Sequence, residues 1–207
     1  MIVRQDKKAL IYKLRNPSRI TTVLPTARIV NHNDVDYVAV PHRPDEVKVL
    51  RNLGLKAPDP MRYYYNFDGR FTPFQAQIDT ANFLSMHERA FCLNSMGLGK
   101  TVTSLWAYDY MRECRMVRKA LIICPLSTME RTWADEVFKT FPHLNAAVVY
   151  GTRERRKKML AQDADVYIIN TDGIKTIEED LAMRDDIDLI IVDEANAYKT
   201  ATTKRWK

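Results

Sequence analysis

The sequence predicts an α/β protein, with a mostly parallel sheet carrying helices on both faces, preceded by a small, mainly β N-terminal domain. Three observations carry that prediction. Continuous apolar runs at residues 120–124, 146–150, 166–170 and 189–192 alternate with helical stretches. Runs of this kind suit strands covered on both faces. A glycine-bearing turn, Asn94-Ser95-Met96-Gly97-Leu98-Gly99-Lys100-Thr101, stands between the apolar run 90–93, read as a buried strand, and a helical stretch at 102–112. Residues 1–59 have another texture, with β-branched and apolar segments divided by turn residues.

In the N-terminal part, residues 9–14, 20–30 and 35–40 read as strands of a small antiparallel sheet. Asn16-Pro17-Ser18 and Asn31-His32-Asn33-Asp34 supply the turns between them. Pro44-Asp45-Glu46 opens a helix whose apolar face is Val47, Leu50 and Leu53 and whose stop is Gly54. Ala57-Pro58-Asp59-Pro60 reads as a linker, which gives domains at 1–59 and 60–207. The aromatic cluster Met61-Arg62-Tyr63-Tyr64-Tyr65-Asn66-Phe67 fits either base or adenine stacking or packing between domains. Further on, helices are expected at 73–84, at 127–138 with Ser127 as cap, at 152–161 and at 174–184. The last strand, 189–192, ends in Asp193-Glu194.

Strand, glycine loop and helix are the setting a phosphate-binding loop requires. Gly97 and Gly99 open backbone conformations closed to other residues. The loop N–H groups and the helix N-terminus then favour an anion. In that role Lys100 reaches the β- and γ-phosphates of a nucleotide, and the Thr101 hydroxyl ligates Mg2+. Asn94 stands where the general pattern has its first glycine. An acid at the carboxyl end of a strand sits where open α/β sheets bind ligands. Asp193 therefore reads as a Mg2+ ligand, and Glu194 as the group that orients the attacking water.

The balance of 32 Lys+Arg against 26 Asp+Glu gives a net charge of +6, which favours polyanion partners. No apolar run approaches a membrane span, and the N-terminus lacks a signal-peptide core, so an intracellular, cytoplasmic location is expected. Cys92, Cys114 and Cys124 have no C-x-x-C spacing and read as reduced thiols rather than a zinc site or disulfide framework.

Several motifs together resemble the Swi/Snf-type members of the superfamily 2 helicases and translocases. They are Phe71-Thr72-Pro73-Phe74-Gln75, similar to an adenine-reading Q motif; Ser95-Met96-Gly97-Leu98-Gly99-Lys100-Thr101; Ile122-Ile123-Cys124-Pro125-Leu126-Ser127 with Trp133 and Glu136 (motif Ia); Tyr150-Gly151 with the basic run after it; Ile169-Asn170-Thr171-Asp172 (motif Ib); and Asp193-Glu194-Ala195-Asn196 (motif II). The chain's style also resembles bacteriophage helicases.

The resemblance implies a RecA-like P-loop lobe, lobe one of two, with motif III and the second lobe absent from these 207 residues. It implies an ATP-driven, DNA-dependent motor using ATP and Mg2+. DNA is the expected partner, duplex ahead of single strand, with RNA a further possibility and no membrane. By resemblance Lys100 and Glu194 are catalytic. Gln75, Met96, Gly97, Leu98, Gly99, Lys100, Thr101 and Val102 bind the nucleotide, and Thr101 and Asp193 hold the metal. Pro125, Ser127 and Thr171 contact the nucleic-acid backbone, while Trp133 reads as core. Asn196 stands where the family has His. The patch Arg153, Arg155, Arg156, Lys157 and Lys158 reads equally as a solvated helix face or as a DNA surface. Two other readings stand beside the motor: a P-loop phosphotransferase acting on a small metabolite, and a nucleotide-binding interaction module without turnover.

Overall fold

The computed structural model describes residues 1–67 and 69–194. The chain divides into two compact units, one of residues 1–66 with 78–92, the other of 67–77 with the chain from 93 onward. Residues 60–66 and 78–92, expected in the second domain, thus group with the first unit.

The first unit is a four-stranded antiparallel sheet with short helices. Its elements are β1 (Ile2–Arg4), β2 (Ala9–Tyr12), α1 (Ser18–Thr21), β3 (Arg28–His32), β4 (Val35–Pro41), α2 (Pro44–Asn52) and α3 (Met61–Tyr64). The spatial strand order is β1-β2-β4-β3. Alternate residues of β2 and β4, namely Leu10, Tyr12, Val38 and Val40, are buried, as a sheet with one covered face requires. They join Ile20, Leu24, Val47 and Leu50 in one core. Asn33 and Asp34, at φ 50° and 56°, make the two-residue turn of the β3–β4 hairpin. Helix α2 starts with Pro44 and stops where Leu55 N–H bonds Leu50 O at 2.9 Å around the left-handed Gly54. The run 20–30 is not one strand: Ile20 and Thr21 close α1, and pairing begins only at Arg28. Asn16 Oδ1 accepts from Ser18 N–H at 3.1 Å, a local bond that favours a turn over a continuing strand. Tyr63 and Tyr64 pack their rings on His42, with centroids 5.4 and 5.2 Å away.

Helix α4 (Gln75–Met86) carries residues of both units. The second unit continues with α5 (Lys100–Glu113), β5 (Lys119–Cys124), α6 (Asp135–Thr140), β6 (Ala146–Val149), α7 (Arg153–Leu160), β7 (Val166–Asn170), α8 (Thr171–Ile174), α9 (Glu178–Ala182) and β8 (Ile187–Val192). All four strands are parallel, in the order β6-β7-β5-β8. Strands β5 and β7 are buried almost throughout, which is why residues 120–124 and 166–169 are unbroken apolar runs. Leu121, Ile123, Val149, Tyr167 and Ile169 pack with Leu160 and Ile177 in the core of this sheet.

Three further expectations, all from residue 90 onward, fail locally. The run 90–93 is not a strand, and Phe91 and Leu93 are 79% and 88% exposed. Apolar residues form a strand only where a neighbour takes their backbone groups. The parallel sheet among the described residues ends at β8, and residues 90–93 are not part of it. The helix expected from Ser127 is instead a 3-10 turn (Leu126–Thr128), a π-helical turn (Met129–Ala134) and then α6. Ser127 does not cap it; Thr128 bonds Pro125 O through both its N–H and its hydroxyl. The stretch 174–184 is split between α8 and α9, where Thr176 turns back on Gly173 O by two bonds.

Candidate nucleotide site and nucleic-acid face

The glycine loop leads directly into α5. Gly97 and Gly99 have φ of 81° and 67°, and Gly99 is the residue on which the helix starts. A side chain at Gly97 would meet nothing within 4 Å, so its backbone angle alone demands glycine. At Gly99 a Cβ would also collide with the side-chain amide of Gln77. Lys100 Nζ donates to Asn94 O at 2.9 Å and Ser95 O at 3.1 Å. The lysine thus ties the two ends of the loop together, and one of the carbonyls it binds belongs to Asn94, which stands where the general pattern has its first glycine. Met96 is 95% exposed and Leu98 half so, whereas the Val102 side chain lies in the buried face of α5.

Gln77, which lies outside the motifs named above, bridges the start of α4 and the glycine loop. Its Oε1 accepts from Phe74 N–H at 2.9 Å and its Nε2 donates to Leu98 O at 3.1 Å. It is 7% exposed, against an exposed Gln75 at the first position of α4. A glutamine at the third position of a helix, reaching back to the N–H before it, is half of a capping box. That signal was present in Pro73-Phe74-Gln75-Ala76-Gln77.

The acidic half follows β8. Asp193 N–H continues the sheet by donating to Ile123 O at 2.8 Å. Its Oδ1 accepts from Glu194 N–H at 3.0 Å, and its Oδ2 accepts from the indole N–H of Trp133 at 3.0 Å. Trp133 is 2% exposed, so it belongs to the core and also holds a site carboxylate. Glu194 has a left-handed backbone, φ 56°. Nearby, burial pushes the Cys124 thiol up to about 11; the Thr128 hydroxyl opposes this and the Asp193 charge adds to it. Cys124 is therefore a protonated, inert core thiol. Asn196 lies outside the described residues.

Of the expected backbone-contact residues, Ser127 is exposed, Pro125 and Thr171 half-buried. Beside Ser127 an open groove of ≈ 390 Å³ runs between Leu126, Arg131 and Tyr150. The basic patch on α7 is less than its sequence suggests. Arg156 is 6% exposed, and its guanidinium donates to Gly151 O, Val149 O and Asn170 Oδ1 at 2.9, 2.7 and 3.0 Å. Arg153 and Lys157 pair with Glu179 and Asp180. Arg155 and Lys158 are left as exposed cations without a carboxylate partner among the described residues.

A parallel α/β sheet, a glycine loop opening a helix and an acid beyond a strand's carboxyl end define a P-loop nucleotide-binding class of protein. Within that class the chain belongs to the SNF2-related domain family, whose model matches residues 76–207. It is 29% identical over 127 residues to the chromatin-remodeling ATPase INO80 of Sclerotinia sclerotiorum, covering 55% of this chain and 7% of that protein. It is 29% identical over 141 residues to the uncharacterized ATP-dependent helicase YqhH of Bacillus subtilis, covering 66% of this chain and 24% of that one. The Sulfolobus solfataricus SWI2/SNF2 ATPase core in complex with dsDNA shares the fold, with a TM-score of 0.57 and 24% identity over 67% of this chain and 29% of that one. The chain thus spans less than a quarter of the length of either curated relative. No helix among the described residues is long and apolar enough to cross a membrane.

Proposed function

We propose that this chain is the ATP-binding part of a nucleic-acid-dependent ATPase that couples hydrolysis to movement on DNA, working in the cytoplasm. The observation that carries the reading is the loop that Lys100 closes onto Asn94 and Ser95 at the start of α5. Such a loop presents backbone N–H groups and a helix N-terminus to a phosphate. In this reading Met96, Gly97, Leu98, Gly99, Thr101 and Val102 line the nucleotide phosphates, and Gln75 reads the adenine. Lys100 moves from the loop carbonyls to the β- and γ-phosphates. Glu194 orients the water and takes its proton. Pro125, Ser127 and Thr171 contact the backbone of the tracked strand, which positions the protein without reading sequence.

The Thr101 hydroxyl and the Asp193 carboxylate are hard oxygen donors and fit Mg2+, an ion that keeps several waters and takes phosphate oxygens as ligands. Among the described residues no group of three or more His, Cys, Asp or Glu could hold a metal by itself, so the ion would arrive with the nucleotide. It would neutralise charge on the β- and γ-phosphates.

The test is calorimetric titration of ATP into Lys100→Ala and Glu194→Gln chains. Lys100→Ala is expected to abolish measurable binding. Glu194→Gln is expected to leave it nearly intact, because Glu194 acts on water rather than on the resting nucleotide. Equal loss in both removes Glu194 from its role, and undiminished binding in Lys100→Ala removes the loop from its own.

A further inference from the structure

The positive charge of this chain is not shared between its parts. Residues 1–66 hold twelve Lys and Arg against six Asp and Glu, whereas residues 67–207 hold twenty of each, so the first 66 carry the whole excess of +6. Within them, residues 7–33 contain six basic side chains and no acidic one. The six acids do little to offset this locally. Asp6, Asp45 and Asp59 each pair with a cation of their own, Arg4, Lys48 and Arg51. Glu46 is buried and accepts from the Thr26 hydroxyl at 3.2 Å. Asp34 and Asp36 stand on the β3–β4 hairpin.

The fold gathers four of the remaining cations at one corner. Tyr12, the last residue of β2, donates its hydroxyl to Lys56 O at 2.7 Å. Arg19 of α1 donates to Leu53 O at 2.7 Å. These two bonds draw the end of β2, α1 and the turn after α2 together, and with them Lys13, Arg15, Arg19 and Lys56. All four are exposed, and none pairs with a carboxylate among the described residues. Like charges carried on segments that these bonds draw together are mutually unfavourable unless a polyanion meets them. The aromatic ring at the corner, Tyr12, is 4% exposed, which leaves no stacking surface and points to phosphates rather than bases.

We infer that this corner of the first unit is a docking surface for the phosphate backbone of duplex DNA, a contact additional to Pro125, Ser127 and Thr171 in the second unit. The inference rests on the nucleic-acid reading proposed above and gives the N-terminal unit a task in it. Contacts of this kind are independent of sequence and release counterions.

The experiment measures affinity for a fluorescent duplex over a salt series. The chains are the unaltered one, a Lys13→Gln/Arg15→Gln/Lys56→Gln variant, and a Lys13→Arg/Arg15→Lys/Lys56→Arg variant that keeps the charge. Arg19 is left in place because it bonds Leu53 O. An Arg115→Gln/Arg155→Gln/Lys158→Gln chain removes the same charge from the second unit. Each phosphate contact contributes about 0.9 to the slope of log K against log salt, so the first variant is expected to lose about two to three units of slope. The charge-keeping variant should retain the slope, and the second-unit variant should lose less than the first. An unchanged slope in the first variant overturns this inference alone, as does equal loss in the second-unit variant. No duplex binding by the unaltered chain overturns both this inference and the reading it rests on.

Discussion

Trp133 donates its indole N–H to Asp193 Oδ2 at 3.0 Å, joining the π-helical turn after β5 to the acid that follows β8. The tryptophan has an apolar body in the core and a polar handle at the site. A hydrogen bond to a charged acceptor contributes about 1.5–3 kcal/mol, and with Asp193 in its proposed role as a Mg2+ ligand, a partner of that ligand is expected to change metal affinity by about 10–100-fold. Trp133→Phe keeps an aromatic ring and removes the donor. The Mg2+ concentration that half-saturates ATP binding is expected to rise about tenfold, while nucleotide binding without Mg2+ stays nearly unchanged. A titration of Mg2+ at fixed ATP reads both. An unshifted Mg2+ midpoint would confine Trp133 to packing.

The two loop glycines are expected to differ. Gly97→Ala meets open space, so its cost is the left-handed backbone alone, about 1–2 kcal/mol. Gly99→Ala bears the same backbone cost at φ 67° and also drives its methyl into the Gln77 amide. It should lower the unfolding midpoint further than Gly97→Ala and weaken ATP binding more. The double variant Gly99→Ala/Gln77→Ala should recover part of the difference, because the obstructing amide is gone. Denaturant unfolding of the four chains, the unaltered one among them, checks the order, and equal losses at both glycines would count against the Gln77 strut.

Stability should fall as pH drops below about 6.5, and His42 is one cause. The ring is 2% exposed, with Nε2 2.9 Å from Pro58 O and Nδ1 2.8 Å from the Tyr64 hydroxyl. A carbonyl can only accept, so Nε2 carries the proton and Nδ1 accepts from Tyr64, which makes the neutral ring the one that fits. Burial, the largest influence, pushes the His42 pKa below 6.5; the Pro58 carbonyl and the Asp59 charge oppose it, and the Arg51 charge adds to it. With the folded value depressed, the unfolded chain binds the extra proton first. Stability is therefore full above the unfolded value and is lost as pH falls through the window beneath it. Urea midpoints at pH 7.5 and 5.5 should differ, and His42→Gln should narrow the gap. A gap of the same size in that variant would assign it to other groups.

Much of this was legible because each signal was local. Each parallel strand is built around an apolar run, and the helix expected at 152–161 is met by α7, where Thr152 accepts from Arg155 N–H at 3.3 Å. The hidden parts depend on what lies across space. Residues 90–93 are as apolar as a strand, yet pairing is decided by a neighbour that local sequence does not name. The Trp133–Asp193 bond joins residues 60 positions apart, and nothing in either motif states it. The motif marks Gln75, while the capping geometry uses Gln77. The sequence 153–158 shows charge but not depth, so Arg156 read as surface.

Arg156 makes the most demanding prediction. Its guanidinium satisfies acceptors at the end of β6, in the following turn and at the end of β7, and lies where any side chain at Gly173 would have to go. Removing it leaves three acceptors short of a donor, two of them backbone carbonyls. Arg156→Lys keeps the charge, but an ammonium cannot reproduce the planar fork that spans those groups. A substitution on a solvated face changes stability by about 0.5 kcal/mol or less, whereas breaking a buried hydrogen-bond network costs several times that. Both Arg156→Lys and Arg156→Gln should therefore lower stability by about 2–4 kcal/mol. Arg155→Gln and Lys158→Gln, one on either side of it in the same helix, should stay within about 0.5 kcal/mol. Gly173→Ala should destabilise in the same range as Arg156→Lys, by displacing the guanidinium from the other side. Urea unfolding of the five variants reads this directly, and a neutral Arg156→Lys would return the whole run to the surface.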